Sequence, residues 1–266
     1  MAYKLLALDL DGTLLDKNHA LTTETIHIIN EIKMQNVRVL IATGRMFISA
    51  SPFIKKLDLY GPMITYNGAY IKDSKTDEVL YHKPIDKTLA KMFIKEAREN
   101  NLHIQMYHND NLYVESRNEI VQMYEKISGI KATCLEKLTD IEGFPTKLLI
   151  IENNRDKFKY CYKYLKDNYN EKLEITESMK NFIEVGAKGV NKGLALANIA
   201  EKFNIKRDEI VSAGDSWNDI EMIEYSGTGI TMSNSPEEVQ KKADIIAPSE
   251  NDGGLNQILK NIFALK

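Results

Sequence analysis

The chain has 266 residues, 43% hydrophobic and 27% charged, which is the composition of a folded globular protein and excludes a disordered or collagen-like chain. Its 35 basic and 38 acidic residues give a net charge of −3, so no general attraction to nucleic acid or anionic membranes is expected. No apolar run reaches the roughly 18 residues of a membrane helix, and the N-terminus does not resemble a signal peptide. Because Cys134 and Cys161 occur in unrelated contexts, neither a disulfide framework nor a cysteine metal site is expected. These features predict a cytoplasmic protein and leave its oligomeric state open.

Short apolar runs alternate with helical segments towards both ends of the chain, which is typical of an α/β protein with a doubly wound, mainly parallel sheet. In chain order, the N-terminal part is predicted to form strand 3–10, a helix capped by Thr22 or Thr23, strand 37–43, strand 62–66 and a hairpin turn at Asn67-Gly68. The same pattern resumes with helix 191–203, strand 210–213 and helix 216–225.

The middle of the chain has a different character, with few of the continuous apolar runs that parallel sheets require. We predict helices over 86–100, 119–127 and 156–169, and strands over 102–107, 112–115, 147–152, 173–176 and 182–185. Residues 84–186 are therefore predicted to form an α+β domain. It is inserted into an α/β domain made of residues 1–83 and 187–266.

Two carboxylates, Asp9 and Asp11, follow the first predicted strand and precede Gly12. Open α/β sheets bind their ligands at this carboxyl edge, and two carboxylates at that position can converge on one hard cation. A solvated turn is the simpler alternative. A calcium loop is excluded, because Leu14 replaces its required glycine and Ala20 its terminal glutamate.

Further polar groups follow later elements of the predicted sheet. Thr43 and Gly44 come after the second strand, where a hydroxyl and backbone N–H groups suit either a phosphate site or a simple helix cap. Lys192 lies in the first turn of a helix, an unfavourable place for a cation without an anionic partner. The surrounding GAKGVNKG is not a P-loop, because Asn191 and Gly193 replace two of its residues.

The segment GDSWND follows the strand 210–213 and opens a helix. Asp215 is placed to reach a metal ion at the strand edge, while Asn218 and Asp219 lie in the first helical turn. Taken alone, Asp-Ser at a helix start is more often a structural cap. The combination is more informative, because separate segments deliver acidic, hydroxyl, cationic and amide groups to one edge.

The segments DLDGTLL, ATGR, the lysine of GVNKG and GDSWND, in this order, resemble the four motifs of the haloacid dehalogenase (HAD) superfamily. The position of the inserted domain is similar to that in the Cof-type subgroup of sugar phosphatases. TYNGAYI at 65–71 and NDGGLNQIL at 251–259 also match this subgroup. The resemblance implies a Rossmann-like core with a substrate-selecting cap.

The resemblance also implies a chemistry that these residue types can perform. Asp9 is the implied nucleophile, which forms an aspartyl-phosphate, and Asp11 is the implied general acid and then base. Mg²⁺ is expected to be held by Asp9, the backbone carbonyl of Asp11 and Asp215, with Asp219 orienting its neighbours. Lys192 is expected to neutralise both the nucleophile and the transferring group.

Phosphate oxygens are expected to contact Thr43 and Asn218, with the N–H groups of Leu10 and Gly44 as further donors. The implied activity is Mg²⁺-dependent hydrolysis of small phosphorylated metabolites, with sugar phosphates as the favoured class. Two alternatives stay open at this point. A phosphotransferase or phosphomutase would pass the phosphoryl group to a hydroxyl, and a non-catalytic protein would only sense a phosphorylated ligand.

Overall fold

The computed structural model describes residues 3–178, 181–249 and 254–265. Its strands are β1 (Leu5–Leu8), β2 (Arg38–Ile41), β3 (Pro62–Thr65), β4 (Tyr70–Asp73), β5 (Val79–His82), β6 (His103–His108), β7 (Asn111–Val114), β8 (Thr133–Cys134), β9 (Lys147–Ile151), β10 (Leu173–Glu177), β11 (Phe182–Ala187), β12 (Ile210–Ala213), β13 (Thr228–Met232) and β14 (Ile245–Ala247). Its α-helices are α1 (Thr23–Met34), α2 (Phe47–Lys56), α3 (Lys87–Glu99), α4 (Glu119–Ser128), α5 (Arg155–Tyr169), α6 (Lys192–Lys202), α7 (Ile220–Tyr225), α8 (Glu237–Gln240) and α9 (Gly254–Ile262).

The chain divides into two compact units. The first comprises Met1–Gly44, Ala50–Leu80 and Asn191–Lys266, and the second comprises Arg45–Ser49 and Tyr81–Val190. The interpretation of these units as a catalytic core and a cap stays a prediction. None of the helices within the described ranges is both long and apolar enough to cross a membrane.

The first unit contains a parallel sheet in the order β14-β13-β12-β1-β2. Every residue of β1 and of β12 is buried. Strands covered on both faces need such apolar runs, which explains why they stand out in the sequence. Helix α1 packs with α9, and α6 with α7. The predicted α/β class with a mainly parallel sheet is therefore confirmed.

Local signals also explain where the helices of this unit begin. The side chain of Thr22 accepts a hydrogen bond from the N–H of Thr25 and so caps α1. Ile28, Ile29 and Ile32 form the buried stripe that their spacing predicts. Asn191 caps α6 in the same way, accepting from the N–H of Leu194 at 2.7 Å.

The sequence analysis predicted no strand at β13 or β14, although both extend the parallel sheet. β13 reads TGITM and mixes threonine and glycine with apolar residues, and β14 has only three residues. Neither has the long apolar run that identifies a buried strand. Of the predicted segment NDGGLNQIL, residues Asn251, Asp252 and Gly253 lie outside the described residues.

The second unit is built on a sheet in the order β10-β11-β9-β6-β7-β8, with β8 the one strand parallel to its neighbour. Helices α3 and α5 contribute buried apolar side chains to one face of this sheet. That core includes Phe93, Ile94, Phe158, Leu165, Ile104, Met106, Leu148, Ile150, Ile183 and Val185. Alternation along the strands sends the next residues, among them Gln105, Lys147 and Glu184, to the opposite face.

This opposite face carries a buried ion pair. Lys147 Nζ lies 3.2 Å from Glu184 Oε1, and the two side chains are only 5% and 9% exposed. Glu184 also accepts from the hydroxyl of Ser178, and the ammonium of Lys147 lies 4.8 Å from the centre of the Tyr107 ring. The pair joins β9 to β11 and is supported by contacts from β6 and from the residue that follows β10.

Candidate active site

A buried lysine between two carboxylates forms the centre of the site, in the first unit. Asp9 follows β1, Lys192 is the first residue of α6, and Asp219 ends a short 3₁₀ turn between β12 and α7. Lys192 Nζ lies 2.6 Å from Asp9 Oδ1 and 2.6 Å from Asp219 Oδ1. The lysine side chain is 0% exposed. A fully buried ammonium requires such partners, so these contacts account for the cation at a helix start.

Both oxygens of the Asp219 carboxylate are engaged by the protein. Oδ1 accepts from Lys192, while Oδ2 accepts from the backbone N–H groups of Asp215 at 3.1 Å and Ser216 at 3.0 Å. Asp219 therefore fixes the lysine and the loop that carries Asp215 together. This placement suits an orienting role better than direct metal ligation.

The loop that carries Asp9 contacts the loop that carries Asp215. The hydroxyl of Thr13 donates to Asp215 Oδ1 at 3.0 Å. Gly12 has φ +80°, and a Cβ atom at this position would lie 2.4 Å from Asp215 Oδ2. Glycine is thus required twice, for its left-handed backbone and for the close approach of the carboxylate.

Asp9, Asp215 and Asp219 each offer a carboxylate oxygen, and these oxygens all lie within 4.8 Å of one another. In the described parts of the chain, no other group of three His, Cys, Asp or Glu side chains is placed to share an ion. Oxygen donors alone suit hard divalent cations such as Mg²⁺. The arrangement therefore fits a divalent cation, with Asp9 and Asp215 as the two side chains not fully engaged by the protein's own hydrogen bonds.

The charges in this cluster also favour a bound cation. Burial raises the pKa of the Asp9 carboxyl well above its ordinary value; Lys192 opposes the rise, and the nearby carboxylates, Asp219 first, add to it. Burial and the charge of Asp219 raise the pKa of Asp215 to about 7. Burial alone would lower the pKa of Lys192, but Asp219 and Asp9 raise it above its ordinary value, so the lysine stays charged. One ammonium thus faces three carboxylates, an imbalance that a divalent cation would correct.

Asp11 lies in the turn Leu10–Leu14, where its own backbone is extended, and its side chain is not part of the carboxylate cluster. Its Oδ1 lies 3.2 Å from Nδ1 of His19, and the two side chains are 22% and 49% exposed. A partly exposed carboxyl can exchange protons with substrate and water. His19 was not singled out from the sequence, because a single histidine in a polar loop carries no motif.

Thr43 and Asn218 both contact Asn67, a residue that the sequence analysis placed in a turn and in the segment TYNGAYI but gave no role in the site. The backbone carbonyl of Thr43 accepts from the N–H of Asn67 at 3.1 Å. Asn218 Nδ2 donates to Asn67 Oδ1 at 2.9 Å. Of the two predicted backbone donors, Gly44 directly follows Thr43, and Leu10 is buried at the start of the turn after Asp9. Their roles toward phosphate stay predictions.

Comparisons with known proteins identify the family of the chain. Residues 6–259 match the family model of haloacid dehalogenase-like hydrolases. The chain is 30% identical over 264 residues to the Bacillus subtilis 5-amino-6-(5-phospho-D-ribitylamino)uracil phosphatase YcsE, covering 97% of this chain and 95% of the relative. It is 27% identical over 265 residues to a second such phosphatase of that organism, YitU, covering 98% of both.

A solved structure shows the same fold. The chain superposes on a haloacid dehalogenase-like hydrolase from Bacteroides thetaiotaomicron with a TM-score of 0.89 and 27% identity, over 98% of this chain and 100% of the other. The resemblance inferred from the four motifs is thereby confirmed. The chain belongs to the haloacid dehalogenase-like hydrolase family and is a phosphatase, a hydrolase of phosphoric monoesters.

Proposed function

We propose that the chain is a Mg²⁺-dependent phosphatase of small phosphorylated metabolites, with sugar phosphates as its substrate class, and that it acts through an aspartyl-phosphate. The observation that carries this proposal is the buried Asp9 carboxylate, held by the Lys192 ammonium at 2.6 Å beside a second acidic loop. A positioned carboxylate is a competent nucleophile. The ammonium offsets its charge and that of the incoming phosphate.

In the first step, a carboxylate oxygen of Asp9 forms a bond to phosphorus while the bond between phosphorus and the ester oxygen breaks. Asp11 gives its proton to the departing alcohol. In the second step, Asp11 takes a proton from water as the water oxygen attacks phosphorus. The bond from phosphorus to Asp9 then breaks, and inorganic phosphate and the free carboxylate are regenerated.

Asp9, Asp215 and the backbone carbonyl of Asp11 would hold Mg²⁺, which when bound supplies positive charge next to the transferring phosphoryl group. Asp219 keeps the Asp215 loop and Lys192 in place. The Thr43 hydroxyl, the Asn218 amide and the N–H groups of Leu10 and Gly44 would donate to the other phosphate oxygens. Such fixed donors stabilise the charge that develops during transfer.

The substrate class is supported by the names of two relatives, which describe phosphatases of a uracil that carries a phosphorylated ribityl chain. Such a substrate is a phosphomonoester at the end of a polyol. Sugar phosphates share that feature. We further propose that the unit formed mainly by Tyr81–Val190 selects among them as a cap, and that the enzyme acts in the cytoplasm.

The test is phosphate release from a panel of phosphorylated sugars and polyols, with Mg²⁺ and with EDTA. We expect release that EDTA abolishes, and none from Asp9→Asn. Asp77→Asn is a matched control, because this carboxylate is 81% exposed and forms an ion pair with Lys72, away from the acidic cluster. Its activity should equal that of the parent protein.

Three outcomes would contradict parts of the proposal. Release that persists in Asp9→Asn would remove Asp9 as nucleophile, and release unaffected by EDTA would remove the metal. An isomerised or newly phosphorylated sugar in place of free phosphate would identify a transferase.

A further inference from the structure

The turn Tyr66–Gly68, which follows β3, has an unusual backbone. Three consecutive residues, Tyr66, Asn67 and Gly68, have φ of 52°, 55° and 98°. Asparagine and glycine tolerate this left-handed region, but a bulky tyrosine does not. Among the non-glycine residues with positive φ in the described chain, only Tyr66 and Ala264 are not Asn, Asp or His. Strain of this kind persists only where the surroundings enforce it, and it concentrates at functional sites.

This strained turn touches three separate segments that carry proposed phosphate-binding groups. The N–H of Asn67 donates to the carbonyl of Thr43 at 3.1 Å. Its side-chain Oδ1 accepts from Asn218 at 2.9 Å, across 151 positions of sequence. A Cβ atom on Gly68 would lie 2.5 Å from the carbonyl oxygen of Asn191, the residue that caps the helix of Lys192. The turn therefore fills the space between these three segments.

The amide of Asn218 depends on this turn for its orientation. Its Nδ2 bonds to Asn67, whereas its Oδ1 is buried and has no hydrogen-bond partner among the described residues. An amide nitrogen carries two hydrogens. With one of them on Asn67, the second remains for another acceptor, such as a phosphate oxygen.

We infer that Asn67 is a positioning residue for phosphate binding: its side chain sets the rotation of the Asn218 amide, and its backbone fixes the carbonyl end of the Thr43 loop. This inference rests on the proposed role of Asn218 as a phosphate ligand. The left-handed turn lets the backbone and the side chain of one residue make both contacts. No contact between Asn67 and the substrate is required.

Asn67→Gly is the appropriate variant, because glycine adopts the same backbone without strain and removes only the amide. We expect kcat/KM to fall about tenfold and the inhibition constant of inorganic phosphate to rise by a similar factor, the size of coupling between contacting residues. Asn36→Gly is the matched control: Asn36 is also left-handed, with φ 61°, and is exposed. It should leave both quantities unchanged. Circular dichroism confirms that each variant is folded.

A double-mutant cycle with Asn218→Ala separates positioning from general damage. If Asn67 acts through Asn218, Asn67→Gly should change kcat/KM and the phosphate inhibition constant by less than about twofold in the Asn218→Ala background. If Asn67→Gly changed both quantities equally in the two backgrounds, the positioning role of Asn67 would be overturned, and the phosphate role of Asn218 would stand. An Asn218→Ala protein with unchanged phosphate inhibition would overturn the phosphate role of Asn218, and the positioning role with it.

Discussion

Replacing Lys192 by methionine should destabilise the first unit strongly. Methionine keeps most of the apolar stem, so the variant tests the loss of the ammonium group. The ammonium makes two charge-assisted hydrogen bonds at 2.6 Å, to Asp9 and Asp219, and all three side chains are less than 10% exposed. A hydrogen bond to a charged group contributes about 1.5–3 kcal/mol. Breaking a buried pair by removing one partner costs about 3–5 kcal/mol. We therefore expect Lys192→Met to lose about 3–5 kcal/mol of unfolding free energy.

The loss should depend on pH in a defined direction. Lys192 is the charge that opposes the rise in the pKa of Asp9, so without it this pKa rises further. A carboxyl with a raised pKa binds a proton in the folded state that it lacks in the unfolded state. Stability is then lost as pH rises from about 4 through the raised pKa. The deficit of Lys192→Met should accordingly be larger at pH 8 than at pH 5.

Urea unfolding in EDTA, followed by tryptophan fluorescence, measures this loss. Trp217 is the single tryptophan and lies in the same unit as Lys192. The control is Lys202→Met at the exposed end of the same helix, which should change stability by no more than about 0.5 kcal/mol. A Lys192→Met deficit below about 1 kcal/mol at pH 8 would refute the reasoning, because the buried pairs would then contribute no more than surface ones.

Three further predictions concern the loops around the cluster. Gly12→Ala should lose most activity and about 1–3 kcal/mol of unfolding free energy, because its Cβ would clash with Asp215. Gly129→Ala is the control: Gly129 has φ +71°, but a Cβ there would have no atom within 4 Å. In urea unfolding this variant measures the backbone penalty alone and should cost less. Asp11→Asn should lower kcat about 100- to 10,000-fold while calorimetry finds Mg²⁺ binding retained; loss of binding would contradict ligation by the backbone carbonyl. In EDTA, thermal unfolding should show that stability falls as the pH rises from about 4 to about 7. The pKa of Asp215 is raised to about 7 in the folded state, so the folded protein binds a proton that the unfolded chain has already lost. Saturating Mg²⁺ should flatten this decline, and an unchanged slope would argue against Asp215 as a ligand.

Some of the site was predictable because its signals are local. Asp9 and Asp215 each follow a buried apolar strand, and parallel strands bring their carboxyl ends to one edge. Lys192 was identifiable as a cation in an unfavourable helical position. In each case, a few neighbouring residues carry the information.

The remaining features depend on contacts between distant segments. The sequence marks Asn67 as a turn residue within TYNGAYI but does not show its partner, because the contact with Asn218 exists only where two loops 151 positions apart meet. Both contacts of Lys192 also join separate segments, 183 and 27 positions apart. Strands β13 and β14 were missed because their positions in the sheet, more than their own residues, make them strands.

The buried pair of Lys147 and Glu184 in the second unit constrains how this protein can diverge. Losing either partner alone removes the opposite charge that lies 3.2 Å from a buried ion, whereas an apolar pair of similar volume can replace both at little cost. These two positions are therefore expected to change together in related enzymes. The strand alternation keeps them off the face that packs under α3 and α5, so such a joint replacement would alter the chemistry of one face and leave the hydrophobic core intact.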